Sequence, residues 1–244
     1  MKQGIFEIVH NTPLTDNVYK MTLRGDTSAI TAPGQFVNIK LDGLYLRRPI
    51  SVCDLQADLL TIIYKVVGKG TQQLSEMKAG TLHLLTGLGN GYDLTKSGEA
   101  PVLLGGGVGV PPMYLLCKKL LEQGKSVQVI LGFNTKNEVF FEQEFKSLGA
   151  QVTVTTVDGT FGQKGFVTDA LKSCTYSYFY TCGPEPMLKA VYRAARTSGQ
   201  LSFEKRMGCG FGACMGCSCK TITGYKRICK EGPVLEKEEI LWES

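Results

Sequence analysis

Four cysteines near the end of the chain carry its most specific chemistry. Cys209, Cys214 and Cys217 stand as C-x4-C-x2-C, and Cys229 follows after eleven intervening residues. Thiolates at that spacing hold two irons bridged by sulfide, whereas zinc sites usually pair their ligands as two C-x2-4-C units. The pattern implies a [2Fe-2S] centre on Cys209, Cys214, Cys217 and Cys229, with a zinc site or unliganded thiols as the alternatives. Gly208, Gly210, Gly212 and Gly216 lie among these ligands. Lacking Cβ atoms, they let a loop wrap closely round a cluster and turn backbone N–H groups towards sulfur. Cys219 is a fifth thiol in the same stretch. If 215–220 is extended it points the same way as Cys217, and only the C-x4-C-x2-C spacing favours Cys217.

A second constellation is Leu103-Leu-Gly-Gly-Gly-Val-Gly-Val-Pro-Pro112, an apolar run that passes through glycines into two prolines. A strand feeding a helix through such a loop is where α/β sheets take a phosphate on backbone N–H groups and a helix N-terminus. Pro111 suits a first helical turn. The loop is not G-x-G-x-x-G, because Pro112 stands at the third glycine position, and by itself it is equally a tight turn. No acid–base pair or nucleophile suited to substrate chemistry accompanies these motifs. The two histidines, His10 and His83, argue against a histidine-rich metal site or a Rieske centre.

The elements that must position these residues follow from periodicity. Short strands are predicted over 4–10, 18–24, 34–41, 50–55 and 59–67, then a short helix over 71–78 and a strand over 81–85, which together read as a small antiparallel barrel. From about residue 98 strand and helix alternate: 102–104 leads to a helix over 111–123, 127–133 to 139–148, 152–157 to 167–172, and 176–180 to 186–197. Such alternation predicts a parallel sheet covered on both faces. The pattern stops at Gly199, and the cysteine tail of roughly 45 residues is too small to build its own core. The expected domains are 1–97, 98–200 and 201–244, giving an α/β plus all-β fold class.

Composition is consistent with this organisation. The chain has 244 residues, 43% of them hydrophobic, enough for real cores. The stretch 100–117 is free of charge, but three prolines and four glycines inside it favour a strand, a turn and a helix start over a membrane span. The N-terminus has no apolar signal region, and nine cysteines, an odd count, suit a reducing compartment, so a cytoplasmic location is expected. A formal charge of +5 is mild and argues against a nucleic-acid partner. Lys205, Arg206, Lys220, Lys226, Arg227 and Lys230 gather round the cysteines; they offset an anionic cluster, dock an acidic partner, or form a solvated face.

Thr181-Cys-Gly-Pro-Glu-Pro-Met187, after the last predicted strand, makes the reading specific. With Gly105-Gly-Gly-Val-Gly-Val-Pro-Pro112, Arg48-Pro-Ile-Ser51 and Gly70-Thr71, it resembles the ferredoxin–NADP reductase superfamily. There an antiparallel barrel binds FAD and an α/β domain binds the pyridine nucleotide. The resemblance implies that Arg48, Pro49, Ile50 and Ser51 hold the FAD pyrophosphate and flavin, and that Ile63, Tyr64 and Lys65 line the flavin or its ribityl chain. Gly70 and Thr71 would offer N–H groups to the diphosphate. Gly106, Gly107 and Gly109 would approach the NAD pyrophosphate, with Cys182, Gly183 and Pro184 beside the nicotinamide. An arginine fork matches phosphate oxygens and free amides bind anions. Taken alone, Arg48-Pro49 is a basic residue before a turn, Cys182 a small buried thiol, and Asp158-Gly-Thr160 a turn as much as a ribose contact. Lys136 is positioned to meet a 2′-phosphate, but no basic cluster accompanies it, which favours NAD over NADP.

The tail placed after the nucleotide domain opens with Ser202-Phe-Glu-Lys-Arg-Met-Gly-Cys209 and closes with Cys229-Lys-Glu-Gly-Pro-Val234. It is most similar to the electron-transfer subunits of NAD-dependent (type B) dihydroorotate dehydrogenase, over essentially the whole chain. That resemblance implies that electrons from FMN in a separate catalytic subunit cross the [2Fe-2S] centre to FAD and leave as NADH, in an α2β2 heterotetramer serving pyrimidine biosynthesis. Two other readings stay open. One is a flavin and iron–sulfur subunit of another complex, such as a hydrogenase, sulfide dehydrogenase or bifurcating transhydrogenase. The other is a zinc-stabilised nucleotide-binding module without redox activity.

Overall fold

The computed structural model describes residues 1–242. Six strands form the first unit: β1 (Lys2–Pro13), β2 (Val18–Arg24), β3 (Phe36–Lys40), β4 (Arg48–Gln56), β5 (Leu59–Lys65) and β6 (Thr81–Leu88), with helix α1 (Lys69–Glu76) between the last two. They close in the order β1-β2-β5-β4-β3-β6, every pairing antiparallel. Side chains alternate across each strand, so Met21, Leu23, Val37, Ile39, Leu60 and Ile62 fill the barrel. Closure leaves this sheet no unpaired edge.

The second unit alternates β7 (Val102–Gly106), α2 (Val110–Glu122), β8 (Gln128–Phe133), α3 (Glu142–Leu148), β9 (Gln151–Thr156), β10 (Gln163–Lys164), α4 (Val167–Leu171), β11 (Phe179–Cys182), α5 (Glu185–Ala194) and β12 (Gly199–Ser202). Leu103 and Val129 face one way, into a core shared with Met113 of α2 and Phe145 of α3. Val102, Leu104 and Ile130 face the other, towards Leu171 of α4 and Leu188 of α5. A sheet covered on both faces results, as the strand–helix alternation implies. The uncharged stretch 100–117 falls on β7, the glycine turn and α2. Among the described residues no helix is long and apolar enough to cross a membrane.

Most element bounds shift by a few residues from the sequence reading, and three of the differences bear on the site. β4 begins at Arg48, so the Arg48–Ser51 motif is built into a strand and not into the turn before it. α3 begins at Glu142 and not at 139, because Phe141 takes a left-handed conformation with φ of 67°. The boundary at 200/201 falls inside β12, which pairs in parallel with β11. The tail contributes the hairpin β13 (Ser218–Thr221) and β14 (Gly224–Arg227), then returns as β15 (Val234–Glu236), antiparallel to β12. The large sheet therefore reads β10-β9-β8-β7-β11-β12-β15. Ile228, Cys217 and Cys229 of the tail pack with Phe36 and Leu88 of the barrel and with Leu201 and Phe203. A segment too short for its own core borrows one from both neighbours.

Candidate functional site

A cleft of about 1430 Å³ runs between barrel and sheet. Its barrel wall is Arg48, Pro49, Ile50 and Ser51 on β4, Ile63, Tyr64 and Lys65 on β5, and Thr71 on α1. Gly70 lies beneath: a Cβ there would sit 2.3 Å from Arg48 Nε, so the missing side chain lets the guanidinium lie over the start of α1. The Thr71 hydroxyl shapes that start by accepting from the Val67 and Gly68 N–H groups at 2.9 and 3.3 Å. Arg48 donates to the carbonyl of Leu46. A guanidinium beside a helix N-terminus concentrates positive potential where a diphosphate can be held. Tyr64 differs from its neighbours on β5. Its hydroxyl donates to Asn11 Oδ1 at 3.0 Å, its ring stacks on Tyr19, and burial pushes its phenol up to about 12.

The opposite wall is Gly106, Gly107 and Gly109 at the end of β7 with Cys182, Gly183 and Pro184 at the end of β11. Strands β7 and β11 are neighbours from which the chain winds in opposite directions, the switch point where open α/β sheets take ligands. The two loops touch backbone to backbone, since a Cβ on Gly109 would lie 2.2 Å from the Cys182 carbonyl oxygen. Burial pushes the Cys182 thiol up to about 12, offset only in part by the Ser202 hydroxyl. The thiol is neutral and is no nucleophile.

Beyond β8 the cleft meets Asn134 and Glu138. Glu138 Oε2 accepts from the Asn134 backbone N–H at 3.0 Å and from its Nδ2 at 2.9 Å. Lys136 is not part of the lining; its backbone N–H donates to Thr160 Oγ1 at 2.9 Å. Asp158 accepts from the backbone N–H and the hydroxyl of Thr160, which close a turn and hold its carboxyl below the usual range. This end of the cleft thus presents the Glu138 carboxylate and leaves Lys136 outside the lining. Sequence reasoning also missed Phe36, Phe203, Met207 and Pro233, which line the cleft. Only the adjacency of Ser202-Phe203 to the cysteine segment hinted at part of this.

The cysteine loop stands next to this cleft. Ala213 N–H donates to Cys209 Sγ at 3.2 Å and Cys209 N–H to Cys214 Sγ at 3.5 Å; Cys229 N–H donates to Cys217 Sγ at 3.4 Å. The thiols form two pairs, and among the described residues no three His, Cys, Asp or Glu side chains gather at a single-ion position. Gly210 and Gly212, with φ of 77° and 93°, supply the left-handed turns that expose N–H groups to sulfur. Burial opposes ionisation of Cys209, but N–H groups from Phe211, Cys214 and Ala213 and the Cys214 thiol outweigh it and bring its pKa down to about 6. Burial, together with the neighbouring Cys217, pushes Cys229 up to about 12. Two ties hold the loop. Arg227 donates to the Gly212 carbonyl and to Glu231, and Asn38 Nδ2 donates to the Cys209 carbonyl at 3.3 Å. The stretch 215–220 is not extended throughout: Met215 is left-handed and Ser218 N–H closes a turn on its carbonyl. Cys217 thereby reaches the loop interior, while Cys219 Sγ contacts the Lys220 carbonyl. Four thiols, sulfur-directed N–H groups and side-chain-free turns fit an iron–sulfur cluster.

Comparison with known proteins agrees with this geometry. Residues 204–241 match the family model of the iron-sulfur cluster binding domain of dihydroorotate dehydrogenase B, and residues 103–193 that of the oxidoreductase NAD-binding domain. The dihydroorotate dehydrogenase B (NAD(+)) electron transfer subunit of a Geobacillus species is 42% identical over 99% of both chains. The subunit of that name from Fusobacterium nucleatum is 44% identical over 93% of this chain and 94% of its own. Among solved structures, a chain of the NADH-dependent reduced ferredoxin-NADP oxidoreductase superposes with a TM-score of 0.88 at 30% identity, covering 98% of this chain and 90% of that one. A ferredoxin NADP+ reductase from Neisseria gonorrhoeae, at 18% identity and a TM-score of 0.70 over 80% of this chain and 90% of that one, shares the fold. On the near full-length identity to these curated relatives, the chain belongs to the dihydroorotate dehydrogenase B electron transfer subunit family.

Proposed function

We propose that this chain carries electrons from dihydroorotate oxidation to NAD+ as the electron-transfer subunit of a type B dihydroorotate dehydrogenase. The observation that carries the reading is the meeting of two unlike sites on one wall: Phe36 lines the dinucleotide cleft and packs in one apolar cluster with Cys217 and Cys229. FAD exchanges a hydride with NAD and releases electrons singly, and a [2Fe-2S] cluster carries one electron at a time. Arg48, Gly70 and Thr71 receive the FAD diphosphate, and Pro49, Ile50, Ser51, Ile63, Tyr64 and Lys65 border the flavin. Gly106, Gly107 and Gly109 admit the NAD pyrophosphate, and Cys182, Gly183 and Pro184 shape the nicotinamide side. Cys209 with Cys214, and Cys217 with Cys229, each hold one iron. Substrate is oxidised on a separate catalytic subunit that contains FMN, in an α2β2 assembly in the cytoplasm. The lack of an acid–base pair for substrate chemistry in the sequence supports the separate catalytic subunit and the cysteine count supports the cytoplasm, while FMN and the α2β2 assembly rest on the family resemblance alone.

The test is dihydroorotate-dependent NAD+ reduction by the complex purified anaerobically through a tag on this chain. NADH formation is expected. Bleaching of flavin and cluster by NADH without dihydroorotate activity would move the chain to another redox complex, and a colourless zinc protein would overturn the redox reading altogether.

A further inference from the structure

We propose that Asn38 is a positioning residue that fixes the cysteine loop against the flavin-bearing barrel wall and so sets the rate of electron exchange between FAD and the cluster. The inference rests on the functional reading above and assigns a role to a residue outside the nucleotide and cysteine motifs.

β3 reads Phe36-Val-Asn-Ile-Lys40, with Val37 and Ile39 turned into the barrel. Asn38 shares the outer face with Phe36, yet it is only 2% exposed. An apolar side chain would cover such a face at lower desolvation cost, so a buried amide calls for a polar reason. One is visible: Nδ2 donates to the Cys209 carbonyl at 3.3 Å, across 171 residues of sequence. The contact is close enough to exclude a neighbouring side chain, since a Cβ on Gly210 would lie 2.2 Å from Asn38 Nδ2. The other amide atom, Oδ1, is buried without a hydrogen-bond partner, as in a site completed only when a further group is in place.

The support behind Asn38 is equally specific. Asn38 pairs with Pro49 on β4, inside the flavin motif. The Asn38 carbonyl accepts from Arg47 Nη1 at 3.3 Å, and the same nitrogen donates to the His83 carbonyl at 3.1 Å, tying β3 to β6 beside Arg48. The β3–β6 register slips between Phe36 and Asn38, a device that re-aims side chains next to functional sites. The amide thus stands between the strand pair that carries the flavin motif and the first cluster ligand. Electron exchange falls steeply with separation, so a loop held less firmly against the barrel wall slows it.

The test uses the complete complex carrying Asn38→Ala, Asn38→Leu or Asn38→Asp, reduced by NADH in a stopped-flow instrument. Flavin bleaching reports the hydride step and cluster bleaching the electron step. The hydride step is expected to stay at the wild-type rate, while passage from flavin to cluster slows by about tenfold or more in the Ala and Leu variants. In Asn38→Asp, a carboxylate beside the cluster should make its potential more negative and alter the electron paramagnetic resonance spectrum of the reduced cluster. A variant that loses iron while keeping flavin and the hydride step supports the same conclusion, because the loop has then lost its anchor. Wild-type electron passage in the iron-replete Ala and Leu variants would overturn it, as would loss of flavin together with iron. An unmodified chain with neither flavin nor cluster colour would instead refute the functional reading beneath it.

Discussion

A guanidinium fork lying over a helix start does what a lone surface arginine does not: it meets an anion already polarised by backbone N–H groups. Removing it in Arg48→Ala deletes charge-assisted hydrogen bonds, each contributing about 1.5–3 kcal/mol, so FAD affinity should fall about 10- to 100-fold. Arg48→Lys should restore only part of the loss, because a point charge cannot reproduce the fork. Flavin fluorescence titration of the apo-chain measures both. Cys182 makes the opposite point. With its pKa pushed up to about 12 by burial, only about one molecule in ten thousand carries the thiolate at pH 8. Iodoacetamide should leave it unlabelled in the folded chain, as read by peptide mass spectrometry, while exposed Cys214 labels once iron is removed. Unfolding frees a thiol that ionises near 9, so Cys182 favours the unfolded state increasingly as pH rises from about 9 towards 12. In the cysteine loop, Cys219→Ser should keep the cluster absorbance and Cys217→Ser should abolish it.

Among the elements, the β7–α2 turn and the end of β11 act as one piece because no side chain separates them. Gly109→Ala would drive a Cβ to 2.2 Å from a carbonyl oxygen that belongs to backbone and cannot swing aside. A cost of about 1–3 kcal/mol is expected, lowering Tm by about 3–10 °C and weakening NADH binding. Gly68→Ala is the control: its backbone is extended and nothing lies within 4 Å of the added carbon, so Tm should hold. Both measurements need only a thermal melt and an NADH titration. The glycine loop was legible in the sequence because a strand, a turn and a helix start are set by neighbours in the chain. The start of α3 was not. Val139 to Phe141 continue an apolar run that reads as helix, and only the left-handed backbone at Phe141, held by packing with Phe140 and Tyr114, breaks it.

At the scale of the whole molecule the tail is a structural partner as well as a cluster holder. It supplies β15 to the sheet edge and covers Phe36 and Leu88 on the barrel. A chain ending at residue 203 should therefore melt at a lower temperature and bind an apolar dye such as anilinonaphthalene sulfonate, instead of behaving as a free-standing reductase; dye fluorescence and Tm decide. The same interlocking marks the limit of what could be read in advance. The sequence alone determined the closed succession of short strands and the strand–helix alternation, and it marked the four-cysteine spacing and the glycine loop as candidate sites, because ligand spacing and side-chain periodicity are short-range properties of a chain. Tertiary structure alone decided that Tyr64 turns its hydroxyl to Asn11, that Glu138 and not Lys136 faces the cleft, and that Cys219 stays outside the thiol pairs. It also decided that Asn38 meets Cys209, 171 residues away. Such pairings arise when distant segments bury apolar surface against each other, and each partner's local pattern is silent about the other.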